Sequence, residues 1–385
     1  MSTAARWDIF CSVVDHFGDI AVSWRLARQL HAEHGLAVRL FVDDLATFRR
    51  LWPGLDETAD AQRILGVEVL RWHAGTRFDS VADVVVDAFG SRTPDAYLER
   101  MAARTRPPVW LNLEYLSAED WIEDCHRLAS PHPRLPLTRY FFFPGFTART
   151  GGVLEERGLA SLRAAFLADA AARTAALENW EATAPDPDAI VVSLFGYGGP
   201  AVGAVLQAWA AGDQSVCVLA PEGRVSPDIA RFFDLPRVSR GARLRRGSLE
   251  VQVLPFRSQD DYDRLLWASD CNFVRGEDSF VRAQWAENPF VWSIYLQDGA
   301  AHWPKLHAFL DRYGAGLEPQ ALWNVREFWR LWNRGEPSPE ILGAAWQRFW
   351  NLREELQAHN AGWAANLRAN RDLATNLVRF AIERL

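Results

Sequence analysis

Short apolar segments alternate with amphipathic helical segments twice along this chain, and this alternation constrains the fold more than any other feature. Strand-like runs are predicted in the first half at 7–14, 38–42, 67–72, 81–88, 109–113 and 140–143. In the second half they are predicted at 190–195, 215–220, 249–254, 271–274 and 290–294. Strands that are buried on both faces and separated by helices form parallel sheets. The chain is therefore predicted to be an α/β protein with two Rossmann-like, doubly wound domains.

A proline-rich segment predicts where the two domains meet. The sequence APDPD at 184–188 follows a predicted alanine-rich helix at 159–182 and precedes the second alternation. Prolines and aspartates in such a run are typical of linkers. We therefore predict an N-terminal domain of residues 1–183 and a second domain of residues 184–361. A C-terminal helix at 362–385 is expected to pack back on the first domain.

Charge and composition exclude several classes of function. The net charge of −7 argues against binding to nucleic-acid phosphates. No apolar run approaches the roughly 18–20 residues that span a bilayer, and the N-terminus lacks a signal-peptide core. We expect a cytoplasmic protein with no membrane partner. The four cysteines are scattered and the nine histidines show no metal-ligand spacing, so we expect no metal.

The loop between the first strand and the first helix carries two aspartates. Asp15 and Asp19 flank His16-Phe17-Gly18. Ligands of open α/β sheets bind at the carboxyl ends of strands, which places both carboxylates at an expected site. They suit general-base chemistry or the binding of a cationic acceptor. The alternative is that Asp19 only caps the helix.

Two further segments predict a ligand site in the second half. The run SLFGYGGP at 193–200 carries glycines before a helix, a pattern that favours phosphate binding or, alternatively, a tight turn. Between 254 and 289, an aromatic residue and a Gln precede the turn RGEDS at 275–279. An aromatic ring can stack on a base, Gln can bond its edge, and Arg with a helix N-terminus can bind a diphosphate. Alternatively, the acidic residues complement the helix dipole and Ser279 caps it.

These segments resemble one family over nearly the whole chain. The sequences WDIFCSVVDHFGDI, LNLEYLSAEDWIEDCHRL, FFFPGFTARTGG, SLFGYGG and VRGEDSFVRAQWAENPFVWSIYLQDGA resemble the bacterial protein-arginine rhamnosyltransferases that modify elongation factor P. The resemblance implies a GT-B glycosyltransferase whose two domains face each other across a cleft. It implies inverting transfer from dTDP-β-L-rhamnose to one arginine of elongation factor P, which helps ribosomes translate proline runs.

The resemblance also assigns roles to residues of this chain. Asp15 and Asp19 match the family's N-terminal aspartates, and Glu277 matches its glutamate. We expect Asp19 to be the general base, with Asp15 and Glu277 positioning the guanidine. The residues on the family's donor-binding stretch are Phe195, Tyr197, Phe256, Gln259, Arg275, Asp278 and Ser279.

Two other functions remain open from the residues. One is a GT-B enzyme that acts on a small-molecule or lipid-linked acceptor. The other is a two-domain binding protein without catalytic activity. The absence of a signal peptide and the aspartate pair argue against the second.

Overall fold

The computed structural model describes residues 5–14, 17–73, 75–295 and 302–385. The chain divides into two compact units. Unit 1 combines Met1–Arg157 with Asn366–Leu385, and unit 2 is Gly158–Ala365.

Eleven of the fourteen strands in the described residues correspond to predicted runs, although some are shorter, and three short strands at sheet edges were not predicted. In chain order they are β1 (Arg6–Cys11), β2 (Ala37–Val42), β3 (Ala61–Ile64), β4 (Val67–Arg71), β5 (Val84–Ala88), β6 (Val109–Leu113), β7 (Ala129–Pro131), β8 (Thr138–Phe142), β9 (Ile190–Leu194), β10 (Val216–Pro221), β11 (Arg243–Arg246), β12 (Leu249–Leu254), β13 (Cys271–Arg275) and β14 (Phe290–Ser293). The central strands β5, β6, β9, β10, β12 and β13 are buried at every residue. This burial on both faces explains why their sequences are continuous apolar runs rather than alternating ones.

Helices cover the sheets of both units. In chain order they are α1 (Gly18–His34), α2 (Leu45–Leu51), α3 (Asp95–Ala102), α4 (Trp121–Cys125), α5 (Leu159–Ala168), α6 (Ala172–Asn179), α7 (Pro200–Ala211), α8 (Ser226–Phe232), α9 (Gln259–Ala268), α10 (Asp278–Ala286), α11 (His302–Tyr313), α12 (Pro319–Asn333), α13 (Pro339–Trp350), α14 (Arg353–Ala369) and α15 (Leu373–Ile382). Their ends have local causes. Helix α1 stops at Gly35, which adopts a left-handed conformation with φ of 65°. Helix α9 is capped by Ser258, whose hydroxyl accepts a hydrogen bond from the N–H of Asp261.

Each unit contains one mixed, mainly parallel sheet. Within the described residues, the order in unit 1 is β3-β4-β2-β1-β5-β6-β8-β7, and the order in unit 2 is β11-β12-β10-β9-β13-β14. The antiparallel pairs lie at the edges, where β3 joins β4, β7 joins β8 and β11 joins β12. All other neighbours are parallel. The carboxyl ends of β1, β5 and β6 therefore lie side by side in unit 1, and those of β9 and β13 lie side by side in unit 2.

The end of unit 1 differs in position from the predicted domain boundary. The prediction placed this boundary after residue 183, whereas the N-terminal segment of unit 1 ends at Arg157. Helices α5 and α6 belong to unit 2, where Arg163 forms an ion pair with Glu287 at 2.9 Å and the Trp180 indole donates to the carbonyl of Asp261. The segment at 184–188 is thus an ordinary connection between α6 and β9.

The C-terminal residues return to unit 1. Helix α15 contacts α1, and the ring of Phe380 packs on those of Tyr140 and Phe142 with centroids 5.4 and 5.8 Å apart. Arg368 forms an ion pair with Glu155 at 2.6 Å. The single helix expected at 362–385 is instead the end of α14 followed by α15, and unit 1 includes residues 366–385.

Candidate active site

Asp19 lies in the first turn of α1, and two donors hold its carboxylate. The N–H of Val14 donates to Oδ2 at 2.9 Å, and the hydroxyl of Tyr115 donates to Oδ1 at 3.1 Å. The residue is 1% exposed. The N-cap of α1 is Phe17, so Asp19 does not occupy the capping position that the alternative interpretation required. Asp15 lies outside the described residues.

Tyr115 is a site residue that the sequence argument missed. It follows the carboxyl end of β6, on the side of the sheet where β1 also ends, and its ring stacks on that of Phe89 with centroids 4.8 Å apart. Its segment was part of the family resemblance, but no charge or spacing in it pointed to Asp19, which lies 96 residues earlier. Its position after a strand end was the only available signal.

A second buried carboxylate of unit 1 serves the fold. Asp87 on β5 accepts a hydrogen bond from the hydroxyl of Thr93 and another, at 2.9 Å, from the indole of Trp110. Burial raises the pKa of Asp87 from 3.8 to about 6, and these hydrogen bonds oppose the increase only in part. Because Asp87 lies within β5 and not in a loop beyond a strand end, where ligands of such sheets bind, we interpret Asp87 as structural.

In unit 2 the guanidinium of Arg275 rests on two aromatic rings. Its central carbon lies 4.5 Å from the ring centroid of Phe195 and 5.0 Å from that of Tyr197. Arg275 ends β13 and Phe195 follows the neighbouring strand β9, so adjacent strand ends bring them together. The cation–π contacts fix the orientation of an arginine that is 8% exposed.

The RGEDS turn is held by bonds within itself. The hydroxyl of Ser279 accepts from the N–H of Arg275 at 3.0 Å and donates to the carbonyl of the same residue. Gly276 has φ of 62°, which favours glycine, and its carbonyl accepts from the Trp292 indole at 2.9 Å. Glu277 is the N-cap of α10 but makes no capping bond through its side chain. Ser279 therefore shapes the turn that presents Arg275 and Glu277.

Gln259 and Asp278 contact each other. The amide of Gln259 donates to Oδ2 of Asp278 at 2.8 Å, and Nε of Arg282 donates to the same oxygen at 2.9 Å. Arg282 is 1% exposed and also forms an ion pair with Asp263 at 2.6 Å. Asp278 thus links the first turns of α9 and α10 directly, through its bond to Gln259. The buried Arg282 strengthens the link by contacting Asp278 and Asp263. Phe256 lies between β12 and α9 and is half-buried.

The glycine loop at 193–200 forms a tight turn. The N–H of Gly199 donates to Oδ2 of Asp228 at 2.8 Å. Gly198 has φ of 86°, and an added Cβ would lie 2.7 Å from the carbonyl oxygen of Arg224. A protein carboxylate therefore takes one of the backbone N–H groups of the run expected to favour a phosphate, and the tight-turn interpretation accounts for Gly198 and Gly199.

Two tyrosines that were not predicted border the arginine–aromatic cluster (Phe195, Tyr197, Arg275). The ring of Tyr262 lies 5.6 Å from that of Phe195, and burial raises the pKa of its hydroxyl. The ring of Tyr295 lies edge-on to Tyr197 at 5.5 Å, and Tyr295 is 53% exposed. Both tyrosines reach the cluster by packing against its aromatic rings. Neither belongs to a recognisable sequence motif, so they could not be predicted from the sequence.

Two properties of the described ranges bear on other classes of function. In them, no group of three or more His, Cys, Asp or Glu side chains is arranged to hold a metal ion. None of the helices placed there has the length and apolarity to cross a bilayer.

Comparison with known proteins identifies the family. The sequence profile of the family described as Elongation-Factor P (EF-P) rhamnosyltransferase EarP matches residues 7–382. A protein-arginine rhamnosyltransferase of Pseudomonas putida is 51% identical over 376 residues, which cover 98% of each protein. A solved structure that gives the structural basis for EarP-mediated arginine glycosylation of EF-P is 39% identical, with a TM-score of 0.71 over 99% of this chain and 100% of that chain.

The fold class is also found in more distant structures. MurG of Acinetobacter baumannii is 13% identical and has a TM-score of 0.52, covering 99% of this chain and 100% of its own. These likenesses confirm the predicted GT-B fold with two Rossmann-like domains. The chain therefore belongs to the elongation factor P rhamnosyltransferase family and is a glycosyltransferase.

Proposed function

We propose that this enzyme transfers L-rhamnose from dTDP-β-L-rhamnose to an arginine side chain of elongation factor P, with inversion at the anomeric carbon. Family membership supports the acceptor, because the related proteins are protein-arginine rhamnosyltransferases. Modification of this factor would relieve stalling on proline runs, and a translation factor as acceptor implies a cytoplasmic enzyme. The observation that carries the mechanism is the buried carboxylate of Asp19, held by Val14 and Tyr115.

The acceptor chemistry explains why carboxylates are needed. A guanidinium group has a pKa above about 12, so it is almost fully protonated and a poor nucleophile at neutral pH. A fixed carboxylate can orient one nitrogen and accept a proton as that nitrogen attacks the sugar. We assign Asp19 as this general base. Asp15 and Glu277 are assigned to positioning the guanidine.

The donor is assigned to unit 2. Phe256 would stack on the thymine base and Gln259 would bond its edge. Arg275, oriented by Phe195 and Tyr197, would bind the diphosphate and stabilise the negative charge that develops on it as it leaves. Asp278 and Ser279 complete this set, with Asp278 bonded to Gln259 and Ser279 bonded to the backbone of Arg275. We propose that these groups act without a metal ion.

Intact-mass analysis of the acceptor tests the proposal. Purified elongation factor P, incubated with the enzyme and dTDP-rhamnose, is expected to gain the mass of one deoxyhexose on arginine. The rival function, transfer to a small-molecule or lipid-linked acceptor, predicts no gain by the protein.

A charge-removing variant tests the role of Asp19. Asp19→Asn is expected to lower turnover about 10²–10⁴-fold, the usual contribution of a general base. Asp60→Asn is the matched control, because the side chain of Asp60 is 92% exposed and pairs only loosely with Arg71, at 3.5 Å. Wild-type turnover in Asp19→Asn would remove Asp19 as the base.

A further inference from the structure

We infer that Tyr115 is a positioning residue for the reaction and fixes the carboxylate of Asp19 in the orientation that accepts the proton. This inference rests on the proposed function of Asp19. It concerns the hydroxyl group of Tyr115 rather than its ring.

Hydrogen bonds from two separate parts of unit 1 reach Asp19. The N–H of Val14 belongs to the loop after β1, whereas the hydroxyl of Tyr115 belongs to the loop after β6. The last torsion of an aspartate side chain is broad, so one hydrogen bond leaves the carboxylate plane free to rotate. Donors on both oxygens fix that plane. A general base must present one oxygen to the transferred proton, which makes its orientation part of its rate.

The phenol of Tyr115 is itself held in place. Its ring stacks on that of Phe89 at an angle of 26° between the planes. Phe89 adopts φ of 58°, which is uncommon for an aromatic residue, and its N–H donates to the carbonyl of Leu113 at 2.7 Å. The N–H of Glu114 donates to the carbonyl of Phe142 at 2.9 Å. The backbone before Tyr115 and the ring beneath it are thus both anchored to the sheet, so the hydroxyl has a defined position.

A different role for Tyr115 is conceivable on the same geometry. The residue is 39% exposed, and its ring could bind the acceptor guanidinium by a cation–π contact. That role needs the ring but not the hydroxyl, whereas the positioning role needs the hydroxyl. Removing only the oxygen separates the two.

Steady-state kinetics of Tyr115→Phe test the inference. Loss of one hydrogen bond to a charged group is expected to lower kcat about 10–100-fold. The KM values for elongation factor P and for dTDP-rhamnose are expected to stay within about twofold, because the bond acts on the base and not on either substrate. Tyr140→Phe is the matched control. Its ring packs on Phe380, 5.4 Å away, and wild-type kinetics are expected.

A second variant and a double variant complete the experiment. Phe89→Leu removes the stacking and keeps the hydroxyl, so kcat should fall in the same direction but less. In an Asp19→Asn background, Tyr115→Phe should cause no further loss, because the group it positions is gone. Thermal unfolding of each variant identifies any that fail to fold.

The outcomes separate this inference from the proposed function. Wild-type kcat in Tyr115→Phe, or an increase confined to the acceptor KM, would overturn the positioning role. So would a full additional loss in the Asp19→Asn background. Wild-type turnover in Asp19→Asn alone would instead overturn the proposed base, whatever Tyr115→Phe does.

Discussion

The buried carboxyl group of Asp87 gives a stability prediction whose size follows from the structure. Asp87→Asn keeps the size of the side chain and both of its partners. The amide oxygen can accept from the indole of Trp110, and the amide nitrogen can donate to the hydroxyl of Thr93. The substitution therefore removes a buried negative charge and keeps these two side-chain hydrogen bonds, whereas the N–H of Thr93, which also donates to the carboxylate, has one acceptor oxygen fewer available.

The pKa of Asp87 determines the sign of the effect. Burial raises this pKa from 3.8 to about 6, so the folded protein binds the proton more tightly than the unfolded chain. Stability from this group is fully present below pH 3.8 and is lost as the pH rises through about 6. The whole loss amounts to about 3 kcal/mol, of which about 2 kcal/mol falls between about pH 4.5 and about pH 7.5. The free energy of unfolding of the variant, minus that of the wild type, should rise by this last amount over that interval.

Urea unfolding of both proteins at the two pH values measures this difference, with linear extrapolation to zero denaturant. Asp83→Asn is a control whose pKa is shifted in the opposite direction, so it should show almost no change between these two pH values. Burial opposes the ionisation of Asp83, but hydrogen bonds from the N–H of Arg6 and from Arg104 outweigh it and lower its pKa. The corresponding difference for Asp83→Asn should therefore change only at acidic pH, below its ordinary pKa of 3.8, and should stay almost constant between about pH 4.5 and about pH 7.5. A difference for Asp87→Asn that stays constant with pH would refute the assignment of a buried, proton-binding carboxyl group.

Two further predictions concern the donor site and the response to acid. Arg275→Ala should raise the Kd for dTDP-rhamnose about 10–100-fold, because the guanidinium oriented by Phe195 and Tyr197 is a charged partner of the diphosphate. Isothermal titration calorimetry measures this Kd. An unchanged Kd would show that Arg275 does not bind the diphosphate. Burial lowers the pKa of His126 from 6.5 to about 4, so its contribution to stability is lost as the pH falls from about 6.5 towards 4. In His126→Asn the side-chain oxygen can still accept from the N–H of Phe143, and urea unfolding should show a smaller loss of stability in acid. An equal loss of stability in acid would contradict the assignment.

Much of the fold followed from hydrophobic patterning, and the exceptions have local causes. The strand predicted at 109–113 is β6 without change, because all five of its residues are buried. The helix predicted at 159–182 is instead two helices, α5 and α6. Asp169 lies between them, and its carboxylate accepts from the N–H of Ala171 at 2.9 Å, a local turn that competes with helix. Residue composition favoured a continuous helix there, whereas this side-chain bond and a backbone bond from the N–H of Ala172 to the carbonyl of Asp169 at 3.0 Å close a turn.

The site was predicted less completely than the fold, because a sequence gives the position of a side chain but not its partners. Arg275 was placed at a strand end correctly, yet the two rings beneath it became a cluster only when β9 and β13 paired. Ser279 was expected to bind the donor, and its hydroxyl is bonded to the backbone of Arg275. Tyr115 was missed, since a hydroxyl that reaches Asp19 across the sheet leaves no trace in the spacing.

The proposed base and the proposed donor-binding residues belong to different units, so substitutions in each unit should change different constants, kcat or the donor Kd. Asp19 and Tyr115 belong to unit 1, whereas Arg275 and the other proposed donor residues belong to unit 2. An interaction that is used only in the transition state changes kcat and kcat/KM alike, whereas one that also binds the ground state changes the donor Kd. Tyr115→Phe should therefore leave the Kd for dTDP-rhamnose at its wild-type value in the absence of acceptor, and Arg275→Ala should raise it. If Tyr115→Phe raised that Kd as much as Arg275→Ala does, Tyr115 would act on the donor, and its assignment to the orientation of Asp19 would be wrong.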